Sequence, residues 1–170
     1  MRHDSTAIVT AWPREDGRLA VEALILKPPV GGALSLEVVE HEIRKLCDRL
    51  DVQAVLFDPW TFRRSAELLE GEGLPMVEFP QSPERMANAS ENLYRLIDSG
   101  ELVHGKDPVL RAHVMGGVTK ETERGWRLVK DPRMSRPIDA LIAMSMACLP
   151  AAAGQGGYLL AFEDEEMAVA

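Results

Sequence analysis

Short apolar runs and helical spacings of apolar residues alternate along this chain. Residues 6–12 and 19–26 are rich in β-branched and apolar side chains and flank an Asp-Gly turn, which predicts a strand, a turn and a second strand. Between 35 and 50 the apolar residues recur at steps of three and four behind Ser35, a good N-cap, so this segment is predicted to be an amphipathic helix. The apolar run 52–57 then predicts a buried strand.

The same alternation continues through the second half of the chain. We predict a short strand at 75–79, a loop or β-hairpin at 119–130, and helices at 61–70, 82–97, 109–115 and 137–147. A strand, a helix and a second strand in this order form a βαβ unit, whose strands are parallel. The last helix is apolar or small at nearly every position and must pack against the sheet. The pattern therefore predicts one α/β domain over 1–149, followed by a flexible acidic tail at 150–170.

The composition is that of a globular protein. With 170 residues and 46% hydrophobic content, the chain can bury a core in one domain. It contains no apolar run near the roughly 18 to 20 residues that cross a bilayer and no signal-peptide core, so we expect a cytosolic protein without a membrane partner. Cys47 and Cys148 lack the paired spacing of a zinc site and are expected to be small buried residues.

Charge is unevenly distributed. The net charge of −8 argues against a protein that coats nucleic acid by bulk electrostatics. Residues 103–136, however, carry eight basic and four acidic side chains, and this basic segment is either a solvated face or an edge that contacts phosphate. Phosphate-loop, dinucleotide-binding and serine-nucleophile motifs are absent from the sequence, and its four histidines lack metal-ligand spacing.

Asp58 stands where the apolar run 52–57 ends, directly before Pro59 and Trp60. Ligands and metals gather at the carboxyl ends of strands in open α/β sheets, which makes this acid a site candidate. Asp followed by Pro also opens a helix correctly, so Asp58 is equally well interpreted as an N-cap.

Asp139 is the second acid of interest, since it stands among apolar residues in the first turn of the last predicted helix. A carboxylate there is stabilised by the helix N-terminus, which is a sufficient structural explanation. If the fold brings Asp139 opposite Asp58, the two acids instead form an oxygen-lined site suited to Mg²⁺ or Mn²⁺. Two such ions about 3.5 to 4 Å apart hydrolyse phosphodiester bonds in many enzymes.

Four sequence blocks together carry a family resemblance. They are Leu-Phe-Asp-Pro-Trp at 56–60, Leu-Pro-Met-Val-Glu-Phe-Pro-Gln at 74–81, Leu-Val-His-Gly-Lys-Asp-Pro-Val-Leu-Arg at 102–111 and Arg-Pro-Ile-Asp-Ala-Leu-Ile-Ala-Met at 136–144. In order and approximate spacing they resemble the nuclease domain of tailed-phage terminase large subunits, over roughly residues 4 to 147.

The resemblance implies an RNase H-like mixed sheet flanked by helices and a metal-dependent endonuclease. Such a nuclease uses two Mg²⁺ or Mn²⁺ ions to cut concatemeric double-stranded viral DNA during genome packaging. Asp58 and Asp139 fall on two of the family's catalytic, metal-binding acids. The implied partners are viral DNA, the portal protein and the small terminase subunit, and the implied location is the cytoplasm of the bacterial host.

The chain departs from the family pattern in two ways. It has no phosphate-loop ATPase segment, so it cannot by itself be the translocating motor. The family's nuclease also begins with a central strand that bears the first metal-binding Asp, and Met1 falls where that strand should have ended. Asp4 precedes the next strand and is a candidate neighbour of the metals. We therefore expect a fragment that lacks its first central strand and is weakly active or inactive.

Two other functions are also compatible with the sequence. The chain could be a catalytically incomplete module of prophage origin, in which the basic segment docks on DNA or the portal ring. Lys130, Arg133 and Arg136 are the candidate phosphate contacts in that segment. It could also be another RNase H-like nuclease related to resolvases or transposases, although the order of the four blocks favours the terminase resemblance.

Overall fold

A computed structural model describes residues 5–164 of the chain. The elements, in chain order, are β1 (Thr6–Pro13), β2 (Leu19–Leu26), α1 (Leu36–Arg49), β3 (Val52–Phe57), α2 (Pro59–Gly71), β4 (Met76–Glu78), α3 (Pro83–Asp98), β5 (Leu102–His104), α4 (Pro108–Val114), β6 (Gly117–Thr122), β7 (Gly125–Lys130), α5 (Asp139–Ala152) and β8 (Tyr158–Asp164). Each strand and helix predicted from the pattern is present, and β5 and β8 were not predicted. None of the helices in this part of the chain is long and apolar enough to cross a membrane.

Six strands form one mixed sheet in the order β4-β3-β8-β1-β2-β5. β1 is antiparallel to both β2 and β8, whereas β3 is parallel to β8 and β4, and β5 is parallel to β2. The predicted class, an α/β mixed sheet flanked by helices, is confirmed. β6 and β7 pair as a separate antiparallel hairpin, which decides between the loop and the hairpin predicted there.

The centre of the sheet is the main correction to the sequence analysis. The expected gap next to β1 does not exist, because β8 lies between β1 and β3 and pairs with both. The segment 150–170 is likewise not a flexible tail up to Asp164, since α5 runs to Ala152 and β8 follows after a short connection. The apolar side chains of Leu159, Leu160, Ala161 and Phe162 are buried, so this strand stands in the core of the protein.

A glycine makes the entry into β8 possible. Gly157 has a φ of +78°, which side chains rarely adopt, and a Cβ there would overlap the side chain of Gln53 on β3. Pro150 lies in the last turn of α5, where it removes the N–H that would bond to the carbonyl of Met146, so the helix loses a backbone hydrogen bond close to its end. The Pro and Gly residues between 150 and 157 therefore suggested a flexible tail, but they end a helix and lead into a strand.

The two faces of the sheet carry separate cores. On one face, Ala7, Leu56 and Ala161 pack with residues of α3 and α5. On the other face, Ile8, Phe57 and Phe162 pack with the apolar sides of α1 and α2. Successive side chains of a strand point to opposite faces of the sheet. A polar residue two positions from a core residue therefore lies on the same face as that core residue. This alternation decides which acids meet at the end of the sheet.

Candidate metal centre

Asp58 is both a helix cap and the residue at the end of a central strand. It follows β3 with extended dihedral angles, and one carboxylate oxygen accepts a hydrogen bond of 2.9 Å from the backbone N–H of Trp60. The two interpretations from the sequence are therefore compatible. Asp58 stands two residues after Leu56, so by alternation it belongs to the face covered by α5.

Asp139 opens α5 and is 1% exposed. The hydroxyl of Ser5 donates a short hydrogen bond to its Oδ2 atom. Ser5 stands two residues before Ala7, and it therefore approaches Asp139 from the α5 face of the sheet. α5 packs directly on β1 and β8, and the bond from Ser5 to Asp139 places its first turn at the end of the sheet where β1 begins.

Glu163 is a third acid at this end, and it was not predicted from the sequence. It lies on β8 opposite Ala7, is 6% exposed, and accepts a short hydrogen bond from the side-chain amide of Gln81. Its sequence signal was the one recognised at Asp58, an apolar run that ends on a carboxylate. The glycines before 158 and the acids after 163 concealed that signal.

The strand register brings these acids to one corner. β3 and β8 are parallel, with Leu56 opposite Ala161. Asp58 and Glu163 each lie two residues further along the chain. The pairing of these two strands ends there, so Asp58 and Glu163 both follow the last paired residues at the same end of the sheet. Asp139 reaches the same face from α5 through its contact with Ser5.

His113 supports the start of α5 as a neutral side chain. Its Nδ1 atom accepts a hydrogen bond of 3.2 Å from the N–H of Ala140, which supplies an N-terminal acceptor that α5 lacks in its own N-cap residue, Ile138. Burial lowers the pKa of His113, the charge of Lys27 lowers it further, and Asp107 opposes these effects. The distance of 3.9 Å between its Nδ1 and Asp139 Oδ2 is therefore a contact of a neutral ring with a carboxylate.

The chemistry of the donors suits a hard divalent cation. Asp58, Asp139 and Glu163 offer only carboxylate oxygens, which are the ligands that Mg²⁺ and Mn²⁺ prefer. Within residues 5–164, however, no three His, Cys, Asp or Glu side chains are grouped closely enough to hold an ion. Each acid is instead turned to a neighbouring donor, which is Trp60, Ser5 or Gln81. Asp4, the other predicted neighbour of the metals, lies outside the described residues.

The predicted phosphate contacts lie on the approach to α5. Lys130 is the last residue of β7, and Arg133 and Arg136 are exposed in the loop that connects β7 to Asp139. Arg133 forms hydrogen bonds to both oxygens of Asp131, which hold the pKa of that carboxyl below its usual range. Asp131 therefore fixes the direction of one of the three cations.

Known proteins share this arrangement of elements. The family model described as "Terminase large subunit, endonuclease domain" matches residues 15–155. The large terminase subunit of Enterobacteria phage HK97 is 29% identical over 126 residues, covering 72% of this chain and 25% of that protein. The chain thus spans about a quarter of the length of this relative.

Solved structures agree in fold. The crystal structure of the HK97 large terminase superposes with a TM-score of 0.78 at 24% identity, over 88% of this chain and 37% of that one. The large terminase nuclease of thermophilic phage G20c with bound magnesium gives a TM-score of 0.61 at 18% identity, over 83% of this chain and 72% of that one. The same G20c nuclease is also known with bound cobalt. The fold is RNase H-like, and the chain belongs to the family of terminase large subunit endonuclease domains.

Proposed function

We propose that this chain is the metal-dependent endonuclease part of a viral genome-packaging terminase and cleaves concatemeric double-stranded DNA. One observation carries the proposal: Asp58 and Asp139 come from distant parts of the sequence and occupy the same end and the same face of one sheet. Membership in the endonuclease family and the magnesium bound to the G20c nuclease support the same chemistry.

In this proposal Asp58 and Asp139 hold the metal. Two Mg²⁺ or Mn²⁺ ions held by these acids would supply an activated water and would stabilise the leaving oxygen of the phosphodiester. The N–H of Trp60 and the hydroxyl of Ser5 orient the two carboxylates before the metal binds. The neutral ring of His113 adds no positive charge beside Asp139, so it does not compete electrostatically with the metal for that acid.

Lys130, Arg133 and Arg136 are proposed to bind the phosphate backbone of DNA. Arg133 and Arg136 are exposed and precede Asp139 in the same connecting loop, so a strand held by them would lie close to the first turn of α5. Phosphate contacts of this kind position a duplex without reading its sequence.

The expectation of a weak or absent activity depended on a missing central strand and on the metal-binding Asp that this strand carries in the family. Because β8 fills that position, neither β1 nor β3 has an unpaired edge at the centre of the sheet. The sheet is therefore complete at its centre, and we propose that Asp58 and Asp139 are sufficient for measurable cleavage by the wild-type chain.

Nicking of supercoiled plasmid in Mn²⁺ and in Mg²⁺ tests the proposal. We expect the wild-type chain to nick and Asp58→Asn and Asp139→Asn to lose at least about 100-fold of the rate, as expected when a group that stabilises the transition state is removed. Asp48→Asn is the matched control, since Asp48 is exposed near the C-terminal end of α1. Circular dichroism of each variant verifies that the fold is retained.

Two results would overturn the proposal. Nicking that survives both substitutions would show that the activity does not use this corner. Binding of DNA or of a portal ring that is indifferent to metal, without cleavage in Mn²⁺, would favour a docking module.

A further inference from the structure

Trp60 is the most exposed aromatic side chain within residues 5–164. Its exposed fraction is 90%, whereas Trp12 and Trp126 are half-buried and each contact another aromatic ring. Burial of an aromatic side chain removes about 150 to 250 Å² of surface from water, and an exposed indole forgoes that stabilisation. Because tryptophan is enriched where proteins bind other molecules, its exposure here points to a binding partner.

The exposed indole is carried by a well-anchored segment. The N–H of Trp60 donates a hydrogen bond of 2.9 Å to Asp58 Oδ1, and the hydroxyl of Thr61 donates one of 3.2 Å to the backbone carbonyl of Asp58. Phe62 is 1% exposed and packs in the core that α2 shares with α1. The fold therefore fixes Trp60 at the surface and holds it there.

Trp60 lies beside the proposed metal site. Consecutive Cα atoms are about 3.8 Å apart, so the Cα atoms of Asp58 and Trp60 are separated by at most about 7.6 Å. Side chains of a helix lean towards its first turn, which directs Trp60 towards the end of the sheet where Asp58 stands. One strand of duplex DNA advances about 3.4 Å per nucleotide, so a strand with a phosphate at Asp58 passes Trp60 within about two nucleotides.

The two faces of the sheet supply different groups to such a strand. Arg133 and Arg136, the proposed phosphate contacts, lie in the loop before α5, which covers one face. α2 covers the opposite face, and Trp60 stands in its first turn. A strand that crosses this end of the sheet therefore has the two arginines on one side of Asp58 and the indole on the other.

The exposed charges of α2 are arranged in the order that a helix dipole disfavours. Arg63 and Arg64 lie one turn after Trp60, and the exposed acids Glu67 and Glu70 lie further from the site. α1 and α3 instead have an acid in the first turn and a base in the last turn, which is the favourable order. Helix stability therefore does not explain why cations stand next to Trp60, whereas attraction of a DNA strand does.

We propose that Trp60 is a DNA-contacting residue whose indole packs against the sugar and base of a nucleotide next to the scissile phosphate. Arg64 binds a phosphate of the same strand, since it is exposed and has no carboxylate partner in the described part of the chain, whereas Arg63 pairs with Glu78. This inference rests on the proposed nuclease site at Asp58 and Asp139. Aromatic contacts of this kind tolerate any base, so Trp60 positions DNA without reading its sequence.

Binding of a short labelled duplex to the full chain, measured by fluorescence anisotropy, tests the inference. The Asp139→Asn background prevents cleavage during the titration and retains the bond between Asp58 and Trp60. In that background Trp60→Ala should weaken binding at least about fivefold, as the loss of an aromatic contact with a nucleotide does. Trp60→Phe keeps an aromatic ring and should weaken it less. Leu68→Ala is the matched control, because it removes an exposed apolar side chain from the far half of α2 and should leave binding unchanged.

Quenching of tryptophan fluorescence by acrylamide reports on the indole itself. In the free protein Trp60 should be the most accessible of the three tryptophans, and DNA should protect it from acrylamide. DNA should not change the quenching of Trp60→Phe. This measurement also carries the test if Trp60→Ala does not fold.

Two further readouts separate a DNA contact from a structural role. Arg64→Ala should reduce the slope of log K against log salt by about 1. In the otherwise wild-type chain, Trp60→Ala should raise KM for plasmid nicking more than it lowers kcat, because the contact exists before the reaction begins. Its melting temperature should remain that of the wild type, since the exposed indole packs on little of the protein.

The outcomes distinguish this inference from the proposed function. Unchanged DNA affinity in Trp60→Ala, with no protection of Trp60 from acrylamide, overturns the inference, and nicking by the wild type then leaves the proposed function intact. Weakened binding in Trp60→Ala with protection of Trp60, but without nicking by the wild type, supports the inference and counts against the nuclease. Absence of both DNA binding and nicking by the wild type overturns both.

Discussion

Ser5 and Asp139 are 134 positions apart in sequence, and the hydroxyl of Ser5 donates a hydrogen bond to the Oδ2 atom of Asp139. This bond joins the residue before β1 to the first residue of α5 inside the protein. Both partners are at most 5% exposed. The start of the helix and one of the proposed metal ligands are therefore held by the same contact.

We expect Ser5→Ala to lower the free energy of unfolding by about 1.5 to 3 kcal/mol, since it removes a buried hydrogen bond to a carboxylate. Urea denaturation followed by circular dichroism measures this change. Ser135→Ala is the control, because Ser135 is exposed and should stay within about 0.5 kcal/mol of the wild type. Equal stability of the two variants would contradict the role given to Ser5.

We expect His113→Phe to destabilise the protein by about 0.5 to 2 kcal/mol, the usual cost of a lost N-terminal helix acceptor. The phenyl ring preserves much of the packing, and the N–H of Ala140 loses its partner. Thermal denaturation at pH 8, where His113 is neutral, provides the measurement. His41→Phe, at an exposed position of α1, is the control and should change stability little.

The stability contributed by Asp131 should depend on pH. Arg133 and its backbone N–H lower the folded-state pKa of Asp131 below the ordinary value of 3.8, so the unfolded chain binds the proton more readily. The stabilising effect is therefore present above pH 3.8 and is lost as the pH falls towards the lowered folded-state pKa. We expect Asp131→Asn to be less stable than the wild type at pH 7. The difference in stability should shrink as the pH falls below 3.8. A difference that stays constant from pH 7 to pH 3 would count against this role.

We expect Arg136→Ala to weaken binding of duplex DNA and to reduce the slope of log K against log salt by about 1, as the loss of one phosphate contact does. Fluorescence anisotropy with Asp58→Asn protein avoids cleavage during the titration. Arg49→Ala removes an exposed cation in the last turn of α1 and should leave the slope unchanged. Identical slopes for the two variants would exclude Arg136 from the DNA contact.

We expect Cys148 to be inert towards thiol reagents in the folded protein, because burial raises its pKa to about 12. Cys47 is half-buried and its pKa is raised less, mainly by burial, so it should react slowly. Labelling with Ellman's reagent at pH 8 should modify one thiol in native protein and two in urea. Rapid modification of Cys148 in the folded Cys47→Ser variant would contradict the buried position of Cys148.

Local pattern was enough to predict the elements from β1 to α5, apart from β5, and the position of Asp58. Alternating apolar residues, Asp-Pro and Ser-Pro pairs and glycines act within a few residues, and they mark where a strand or helix begins and ends. The contacts at the candidate metal centre depend on tertiary structure rather than on local sequence. Ser5 with Asp139 and Gln81 with Glu163 depend on which strands become neighbours, and strand order is not encoded in any local spacing.

β8 shows why one of the two unpredicted strands, β5 and β8, was missed. Its apolar stretch is as regular as that of β3, but the Gly-rich residues before it and the acids after it are also typical of tails. Composition reflects only the residues that flank a segment in the sequence. Burial of the segment depends on whether the other strands leave a position for it in the sheet. Residues 158–164 form a buried strand because they pair with β1 on one side and with β3 on the other.

The position of β8 also bears on how the protein folds. Its pairing with β1 joins residues near opposite ends of the described chain, such as Ala7 with Glu163, and long-range pairings of this kind slow folding. Until β8 docks, the hairpin of β1 and β2 and the pair of β3 and β4 are two sheets with open edges, which are prone to associate with other chains. Folding yield should therefore be sensitive to protein concentration, and the closure of the corner that bears Glu163 should coincide with the last step of folding.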